Sequence, residues 1–530
     1  MAQETLEAPA ASTTDGATEL ALLRRNERLR LLARIVAASA GGVVVALAFP
    51  PVGWWPLAPL GVALITLALY RRRTRTGMLL GLLAGLGLFV SLLPWVRVFG
   101  IDAWIALSVI QALFIAALGG ALALVTRLPG WPVWSAALWV GEEALRGRVP
   151  FGGFPWGRLA FSQPNSPFTP FAALGGAPLT TFVIALTAGI LAWILLTGRH
   201  RWRSGAAGLI TVVLVPVAGL AVPTPKDGGD RTVTAAAVQG NVPRTGLDAY
   251  TQPGVVVSNH VAQTHRLARL VEAGKRPRPD LVIWPESSSA IDPYRNPGVY
   301  AAISGAVRHI GVPVLVGTTV LLPDGEHLHN RGIVWDPQTG PGDYYAKRHL
   351  VPLGEYIPFR DLLLPYFSRL EQVGPDKAPG HRSGALRLGP AVVGDIICYE
   401  VAYDGLIRDV VRDGAQLLVV QTNNANFTNT VQPEQQLAIS RLRAVEHGRA
   451  LVVAATSGIS AIIAPDGSVQ QISQKHTPAL LVGDVPLRNS RTLADILGVW
   501  PEMVLVLIGA GAVVVAAAHS RKQTTRRGGA

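Results

Sequence analysis

Eight long apolar runs constrain this chain more than any other feature of its sequence. They cover residues 35–49, 54–70, 77–94, 103–125, 131–145, 179–196, 205–222 and 500–518. A helix needs about 20 mainly apolar residues to cross the hydrocarbon core of a bilayer, or somewhat fewer where its flanks anchor it. The runs therefore predict a polytopic α-helical membrane domain of about eight spans. The second and fifth runs are short, and a re-entrant or interfacial segment is the alternative for each.

The bulk composition agrees with a membrane protein and argues against a nucleic-acid-binding one. Hydrophobic residues make up 49% of the 530 residues and charged residues only 15%, and the mean hydropathy is +0.34. The net charge of +13 could suggest a nucleic-acid partner. Much of the excess, however, lies in short clusters beside the apolar runs. That distribution is typical of membrane topology signals and not of a groove for phosphates.

The basic clusters also predict an orientation. If all eight runs span, every cluster falls on one side, which is the positive-inside pattern and places both termini in the cytoplasm. Residues 223–490 then lie on the extracytoplasmic face of the cytoplasmic membrane. The clusters are Arg24, Arg25, Arg28 and Arg30; Arg71, Arg72, Arg73 and Arg75; Arg127; Arg199, Arg201 and Arg203; and Arg521, Lys522, Arg526 and Arg527.

These observations divide the chain into five parts. Residues 1–19 are polar and small and predict a disordered tail without the features of a signal peptide. Residues 20–222 form the N-terminal membrane domain, with about seven helices, and 223–490 a separate domain. Residues 491–519 hold a C-terminal transmembrane helix, and 520–530 a basic cytoplasmic tail.

The segment 223–490 differs in kind from the apolar runs. It contains short β-rich stretches at 233–238, 281–284, 314–317, 332–335, 392–397, 417–420, 451–454 and 461–464. Helix-like segments, such as 255–273 and 433–448, lie between several of them. Because strands that alternate with helices indicate an α/β architecture, we expect an α/β domain here.

Three strand ends in this domain carry reactive groups: Glu286, Lys347 and Cys398. A cysteine thiolate is a nucleophile, a carboxylate can take the thiol proton as a general base, and a lysine ammonium can stabilise an oxyanion. The backbone N–H of Tyr399 would be a second oxyanion donor. The combination suits acyl transfer through a thioester.

Each of the three residues also has an ordinary structural interpretation. Glu286 could be a surface acid after a strand, and Lys347 could be solvated or paired with Glu355. Cys398 is the single cysteine, so it cannot form a disulfide within the chain and could simply fill a buried site. Spacing alone does not bring the three residues together.

Longer motifs around these residues resemble the nitrilase superfamily and, more narrowly, the apolipoprotein N-acyltransferase family. The motifs are Trp284-Pro285-Glu286; Lys347 followed by residues 350–358, LVPLGEYIP; and residues 394–400, GDIICYE. The narrower resemblance adds the membrane domain with 49–56, FPPVGWWP, the segments 142–147 and 153–158, and the strand end at 238–241. It extends from about residue 31 to residue 518.

The resemblance implies an αββα sandwich and an enzyme that completes lipoprotein maturation. Glu286 would be the general base, Lys347 the oxyanion stabiliser and Cys398 the nucleophile, with Glu355 and Glu400 as supporting acids. The acyl donor would be a phospholipid, typically the sn-1 chain of phosphatidylethanolamine. The acceptor would be the N-terminal amine of a diacylglyceryl-cysteine on an apolipoprotein, and the scheme ping-pong. Relatives fused to a polyprenol-phosphate mannose synthase suggest that enzyme as a partner.

The chain departs from the family pattern after the strand at 417–421. The family usually shows Asn-Asp-Ala-Trp-Phe there, whereas residues 423–427 of this chain read Asn-Asn-Ala-Asn-Phe. We predict that Asn424, Asn426 and Phe427 contribute to substrate binding, because the segment could line the acyl or headgroup pocket. The sequence shows neither a metal-ligand cluster nor a nucleotide-binding loop, and we expect no cofactor and no metal.

Two other functions stay open at this stage. A membrane-tethered amidase would use the same triad with water as acceptor, although one span would suffice to anchor it. A membrane scaffold with a degenerate hydrolase domain would not need the intact triad. Two further expectations concern lipid: residues 362–367, LLLPYF, would help form a lateral acyl entrance, and Arg146, Arg148 and Arg158 would contact lipid phosphates or cap helix ends.

Overall fold

The computed structural model describes residues 13–197, 202–224, 231–244, 246, 248 and 251–528. Side chains are described for these residues except 13–24, 202–204, 368, 369, 372 and 522–528. Of the tail predicted over 1–19, residues 1–12 lie outside the described residues. Residues 13–19 already belong to the first helix, so that helix starts earlier than the prediction.

Every apolar run of the N-terminal region lies on a helix. The seven helices are α1 (Thr13–Leu47), α2 (Leu57–Leu69), α3 (Thr74–Leu92), α4 (Ile101–Val125), α5 (Trp131–Arg146), α6 (Ala172–Thr197) and α7 (Trp202–Leu220). Helix α6 is interrupted at Gly175 and Gly176, whose backbone angles are not helical.

Five helices in the described part of the chain are long and apolar enough to cross a membrane. They are Arg25–Leu47, Thr74–Leu92, Ile101–Val125, Thr169–Thr197 and Trp500–Arg521. Leu57–Leu69 and Gly205–Leu220 are apolar but shorter. Helix α5, from the fifth run, is short and carries the buried acids Glu142 and Glu143. A helical membrane domain is thus confirmed, and the count of about eight spans stays a prediction.

Small residues let α3 and α4 approach closely. A Cβ atom built on Gly81 would lie 2.5 Å from the carbonyl oxygen of Ile115, and one on Gly77 would lie 2.6 Å from that of Gly119. Close approach through small residues spaced four apart is a common way for helices to associate in a bilayer, where burial of apolar surface supplies little driving force.

The remaining chain builds two six-stranded sheets. The first has the strand order β12-β1-β2-β3-β4-β5 and the second β11-β10-β9-β8-β7-β6. In each sheet the three central strands, β1-β2-β3 and β7-β8-β9, are parallel and the flanking pairs are antiparallel. The strands are β1 (Arg231–Gln239), β2 (Leu281–Ile283), β3 (Val314–Leu321), β4 (Leu328–Asp336), β5 (Gly340–Ala346), β6 (Ala385–Leu388), β7 (Ala391–Ile397), β8 (Leu417–Thr422), β9 (Leu451–Ala455), β10 (Ala461–Ile463), β11 (Val469–Ile472) and β12 (Ala479–Leu487).

Helices cover the outer faces of both sheets. The helices of this region are α8 (Pro253–Glu272), α9 (Pro297–Ile310), α10 (Arg360–Leu363), α11 (Asp404–Arg412), α12 (Gln432–His447) and α13 (Leu493–Leu497), followed by the long α14 (Trp500–Gly528). Helices α8 and α9 share an apolar core with the first sheet. Helices α11 and α12 pack on the second sheet. A further core, including Leu315 and Val419, fills the space between the sheets, and the result is the αββα sandwich that the resemblance implied.

Two predicted boundaries differ from the structure. The C-terminal helix predicted over 491–519 begins only at Trp500, and the short helix α13 precedes it. At its other end, α14 continues to Gly528, so it includes most of the segment predicted as a basic tail.

Helix α12 joins the sandwich to the membrane helices through the amide of Gln435. Its Oε1 accepts hydrogen bonds from the indole N–H groups of Trp95 and Trp156, at 3.1 and 2.8 Å. Its Nε2 donates to the carbonyl oxygens of Leu92 and Pro50, at 3.1 and 3.4 Å. All four hydrogen-bonding positions of one buried amide are therefore used between a helix of the sandwich and the membrane domain.

Buried arginines near this junction correct one expectation. The guanidinium of Arg146 donates to Glu142 at 2.6 Å and to the carbonyl oxygens of Phe154 and Trp156. Arg158 bridges Glu143, on α5, to Asp404, at the start of α11. Both side chains are almost completely buried, so of the two alternatives, contact with lipid phosphates is wrong for them. Arg148 is exposed and pairs with Glu502.

We predict that replacing Gln435 by leucine destabilises the whole protein. Leucine is similar in size but leaves two buried indole N–H groups and two carbonyl oxygens without a partner, at about 1–3 kcal/mol for each unsatisfied group. The apparent Tm in detergent should fall by several degrees. Gln338→Leu, at an exposed turn, is the control and should leave Tm unchanged. Equal Tm values for the two variants would contradict the assigned role.

Candidate active site

The ends of three strands bring Glu286, Lys347 and Cys398 together. Glu286 follows β2 after Trp284-Pro285, and Lys347 follows β5 directly, both in the first sheet. Cys398 follows β7 in the second sheet. The three side chains meet between the sheets, where the charges of Glu286 and Lys347 both act on the thiol.

Lys347 is buried between two carboxylates and is neither solvated nor paired with Glu355 alone. Its Nζ lies 3.1 Å from Glu286 Oε1 and 2.9 Å from Glu355 Oε2. Burial by itself lowers the pKa of Lys347, but the two carboxylates outweigh it and raise that pKa well above its usual value. Lys347 is therefore an ammonium at any physiological pH.

Asn330, on β4, holds the two carboxylates in place. Its Nδ2 donates to Glu286 Oε1 at 2.7 Å and to Glu355 Oε1 at 3.0 Å. Lys377 also contacts Glu355, at 2.9 Å. Burial raises the pKa of Glu355, yet Lys347 and Lys377 bring it well below its usual range. Glu355 thus stays ionised and supports the position of Lys347, consistent with its predicted place beside the triad.

The second oxygen of Glu286 is oriented by the backbone after β8. Oε2 accepts a hydrogen bond of 2.8 Å from the N–H of Asn423, while Oε1 accepts from Asn330 and Lys347. The carboxylate is 5% exposed. Both of its oxygens are fixed, so the carboxylate has little freedom to move away from the thiol.

Cys398 occupies a turn of unusual backbone conformation. Its φ is +59°, in the left-handed region that non-glycine residues rarely adopt and that is frequent at functional sites. The hydroxyl of Thr422 lies 3.3 Å from its Sγ. Burial, and after it the negative charge of Glu286, raise the pKa of the thiol to about 12, although Lys347 opposes this. At rest Cys398 is therefore a thiol and not a thiolate.

Glu400 connects the nucleophile turn to the loop that carries Lys347. Its Oε1 accepts hydrogen bonds from the Tyr345 hydroxyl and from the N–H groups of Arg348 and His349, at 2.9, 2.7 and 3.0 Å. Its Oε2 accepts from the N–H of Ile397 at 2.8 Å. Burial raises the pKa of Glu400, and the backbone N–H groups oppose that rise. One carboxyl group thereby fixes the residues next to Lys347 and Cys398 relative to each other.

The ring of Tyr399 faces the membrane domain. It stacks on Trp156 and Phe154, with ring centroids 5.9 and 6.0 Å apart. The side chain thus anchors the nucleophile turn against the loop after α5, which leaves the backbone N–H of Tyr399 as its predicted chemical contribution.

The structure places the three predicted substrate-binding residues in different surroundings. The amide of Asn424 is buried and donates to Gln432 and Gln436 at 2.9 and 2.8 Å. Phe427 packs edge-on against Trp95 and Phe99 of the membrane domain. The Oδ1 of Asn426 is buried without a hydrogen-bond partner among the described residues. Asn424 and Phe427 therefore have structural contacts that sequence reasoning missed, and a role in substrate binding stays a prediction.

Sequence reasoning also missed Asn330, Lys377 and Thr422. Thr422 directly follows the strand predicted over 417–421, so its position at a strand end could have indicated it. Asn330 and Lys377 carry no such signal, because only the folded sheets bring them to Glu355. In the described ranges, groups of three or more His, Cys, Asp or Glu that could hold a metal ion are absent.

Comparison with known proteins agrees with this architecture. Residues 234–495 match the carbon-nitrogen hydrolase family model, and residues 41–190 match that of the apolipoprotein N-acyltransferase N-terminal domain. The soluble part is thus a carbon-nitrogen hydrolase domain of the nitrilase type. The chain as a whole belongs to the apolipoprotein N-acyltransferase family, whose members are membrane acyltransferases of lipoprotein maturation.

The relatives match over nearly the full length. An apolipoprotein N-acyltransferase of Mycolicibacterium smegmatis is 39% identical over 521 residues, which cover 93% of this chain and 87% of the relative. One from Pseudomonas syringae pv. tomato is 30% identical over 92% of this chain and 97% of its own.

A solved amidase from Nesterenkonia sp. aligns with 50% of this chain at 21% identity and a TM-score of 0.36.

The raised thiol pKa gives a direct test of the site. Cys398 is the single cysteine, so alkylation by iodoacetamide reports on it alone. We expect slow alkylation that rises about tenfold per pH unit from pH 7 to 10 without a plateau, because only the thiolate reacts. Glu286→Gln removes the negative charge that raises the pKa of the thiol and should speed alkylation at pH 8 several-fold.

The control is Glu326→Gln, which changes an exposed carboxylate and should alkylate like the native chain. A plateau below pH 9 in the native chain would contradict the assigned environment. So would a Glu286→Gln variant that alkylates no faster than the native chain.

Proposed function

We propose that this protein transfers an acyl chain from a phospholipid to the N-terminal amine of the diacylglyceryl-cysteine of apolipoproteins. The scheme is ping-pong, with a thioester on Cys398. The observation that carries the proposal is the buried contact of Glu286 with Lys347 beside the Cys398 thiol, in a chain of this family. A nucleophile, a base and a fixed positive charge are the parts that acyl transfer requires.

In the first step Cys398 attacks the ester carbonyl carbon of the phospholipid. Because the resting thiol has a raised pKa, attack needs simultaneous removal of its proton, and the fixed Glu286 carboxylate takes it. The carbonyl oxygen becomes an oxyanion. When the intermediate collapses, the carbon–oxygen ester bond breaks, the leaving alkoxide takes the proton from Glu286, and a lysophospholipid departs from the thioester.

Lys347 stabilises the oxyanion in both half-reactions. Its ammonium is held in place by Glu286 and Glu355, so it does not have to reorganise as negative charge develops. The N–H of Tyr399 supplies the second donor. Because burial excludes water, these charges act more strongly than they would in solvent.

In the second step the acceptor amine attacks the thioester carbon. Glu286 takes a proton from the amine nitrogen as the carbon–nitrogen bond forms. The carbon–sulfur bond then breaks, and the cysteine sulfur regains a proton from Glu286. The products are an N-acylated lipoprotein and the resting thiol.

Membrane embedding supports a lipid donor and acceptor. Residues 353–367 expose large apolar side chains, among them Phe359 at 70%, Leu362 at 63% and Tyr366 at 77%. Phe359 contacts Phe151, in the loop after α5, with ring centroids 6.0 Å apart. We propose that this apolar loop, defined as residues 353–367, admits acyl chains laterally, because moving a chain through water costs roughly 0.8 kcal/mol per CH₂.

The proposed topology places the sandwich outside the cell. Eight spans, cytoplasmic termini and a catalytic domain on the extracytoplasmic face of the inner membrane would bring the site to the leaflet that holds both lipids. The basic clusters support this arrangement through the positive-inside rule. The polyprenol-phosphate mannose synthase partner stays a prediction from the resemblance.

The thioester gives the first functional prediction. Incubation of the purified chain with mixed phospholipid micelles should add one acyl-sized mass, detected by intact-protein mass spectrometry and released by hydroxylamine. Cys398→Ser should show no hydroxylamine-sensitive adduct. Glu286→Gln should slow adduct formation by about 10²–10⁴-fold, as expected for loss of a general base.

Glu326→Gln serves again as the matched control and should form the adduct at the native rate. If the native chain forms no adduct with any common phospholipid while its thiol remains open to alkylation, the acyltransferase proposal fails and an amidase function gains support.

The apolar loop gives a second functional prediction. Leu362→Glu places a charge where acyl chains would enter, so the apparent KM for phospholipid in mixed micelles should rise at least several-fold while Tm stays unchanged. Val255→Glu is the control, since Val255 is 41% exposed on α8, which packs on the first sheet. Unchanged KM in Leu362→Glu would exclude the loop as the entrance.

A further inference from the structure

A buried carboxyl group that the mechanism above does not use lies beneath the catalytic residues. Asp395 is on β7, the strand that ends at Cys398, and is 1% exposed. Neither carboxyl oxygen has a hydrogen-bond partner of normal geometry among the described side chains and backbone groups. A buried carboxylate without partners is very costly, so its charge state needs an explanation.

Gln421, on the adjacent strand β8, has a similar unpaired oxygen. Its Nε2 donates a hydrogen bond of 2.5 Å to the carbonyl oxygen of Trp284. Because a carbonyl oxygen can only accept, this contact fixes which end of the amide faces Trp284. The Oε1 therefore points elsewhere, is buried and has no partner among the described groups.

The two unpaired oxygens lie beside each other. A Cβ atom built on Gly332, on β4, would be 2.0 Å from Asp395 Oδ2 and 2.4 Å from Gln421 Oε1, so these oxygens are at most about 4.4 Å apart. The strand register agrees: Asp395 is opposite Val419, and Gln421 lies two residues further along on the same face. A deprotonated carboxyl oxygen and an amide oxygen can both only accept, so a proton on Asp395 would let this pair form a hydrogen bond.

We propose that Asp395 is a protonated positioning residue that donates to Gln421 Oε1 and, through the carbonyl of Trp284, fixes Glu286 in its position relative to Cys398. Trp284 precedes Glu286 by two residues, and Asp395 precedes Cys398 by three. The contact therefore links the strand of the base to the strand of the nucleophile across the two sheets. The predicted kinetic effect of this inference rests on the proposed acyl transfer, whereas the charge state of Asp395 does not.

The surroundings of Asp395 favour the neutral form. Burial raises the pKa of Asp395 well above its usual value, and the charges of Glu400 and Glu286 add to the effect, although the backbone N–H of Ile396 opposes it. Gly332 leaves room for the pair, because any side chain at that position would collide with both oxygens.

The charge state can be tested without any lipid. The unfolded chain releases the Asp395 proton above about pH 4, whereas the folded chain keeps it, so stability of the native chain falls as pH rises toward the raised pKa. Asp395→Asn keeps a donor and does not titrate. We expect the Tm of Asp395→Asn minus that of the native chain to grow from pH 5 to pH 8. For the exposed Asp413→Asn the difference should stay constant.

The positioning role is tested by the single-turnover rate of acyl-enzyme formation. Asp395→Asn should retain the native rate within about threefold, because an amide N–H replaces the carboxyl O–H. Asp395→Leu and Gln421→Leu should each lower the rate at least tenfold with KM unchanged, and the double variant should be no slower than either single one.

The outcomes separate this inference from the proposed function. If the native chain forms no acyl-enzyme, the acyl-transfer proposal fails, and the Tm measurement still decides the protonation of Asp395. A Tm difference that does not grow with pH, or an Asp395→Asn variant as slow as Asp395→Leu, would overturn the inference. If the leucine variants do not fold, the pH dependence of Asp395→Asn remains the deciding result.

Discussion

The buried ammonium of Lys347 is the interaction on which the rest of the site depends. An unpaired charge at 2% exposure would be expelled or neutralised, so Lys347 requires both Glu286 and Glu355. These carboxylates in turn require Asn330 and Lys377. The same pairing holds Glu286 beside the thiol, where its negative charge adds to burial in raising the pKa of Cys398. The pairing that stabilises Lys347 therefore also contributes to keeping Cys398 a thiol.

In the proposed acyl transfer, a thiol with a raised pKa would favour reaction with a bound membrane ester over reaction with other electrophiles. A free thiolate would react with any accessible oxidant or alkylating agent. A thiol that loses its proton only as it attacks reacts when a carbonyl carbon is already in place. The positive φ of Cys398 and the hydrogen bonds of Glu400 keep the turn rigid. The fixed geometry of this turn thus compensates for the low intrinsic reactivity of a protonated thiol.

The sequence predicted much of this, and the limits have physical causes. Hydropathy placed all eight apolar helices because a long apolar run has few alternatives, and strand ends indicated the three triad residues. The sequence did not predict β6, β11 or β12, which lie at sheet edges. Strands β6 and β11 have only four residues each, and the burial of β12 does not form a continuous apolar run. For Arg146 and Arg158 the sequence left lipid phosphates and helix ends as alternatives, because a sequence does not show that Glu142, Glu143 and Asp404 surround them. Contacts between residues far apart in sequence depend on how the sheets pack, so local sequence patterns do not predict them.

The position of α12 has a consequence for how the protein can be handled. Its residues belong to one apolar core that continues from the membrane helices to the outer face of the second sheet. The hydrogen bonds of Gln435 connect the two parts of the protein. The sandwich cut free of the helices would expose that face and collapse or aggregate. We therefore expect the two parts to fold and unfold together. Detergent or lipid that loosens the membrane helices would therefore change the packing around Thr422, whose hydroxyl lies between α12 and Cys398.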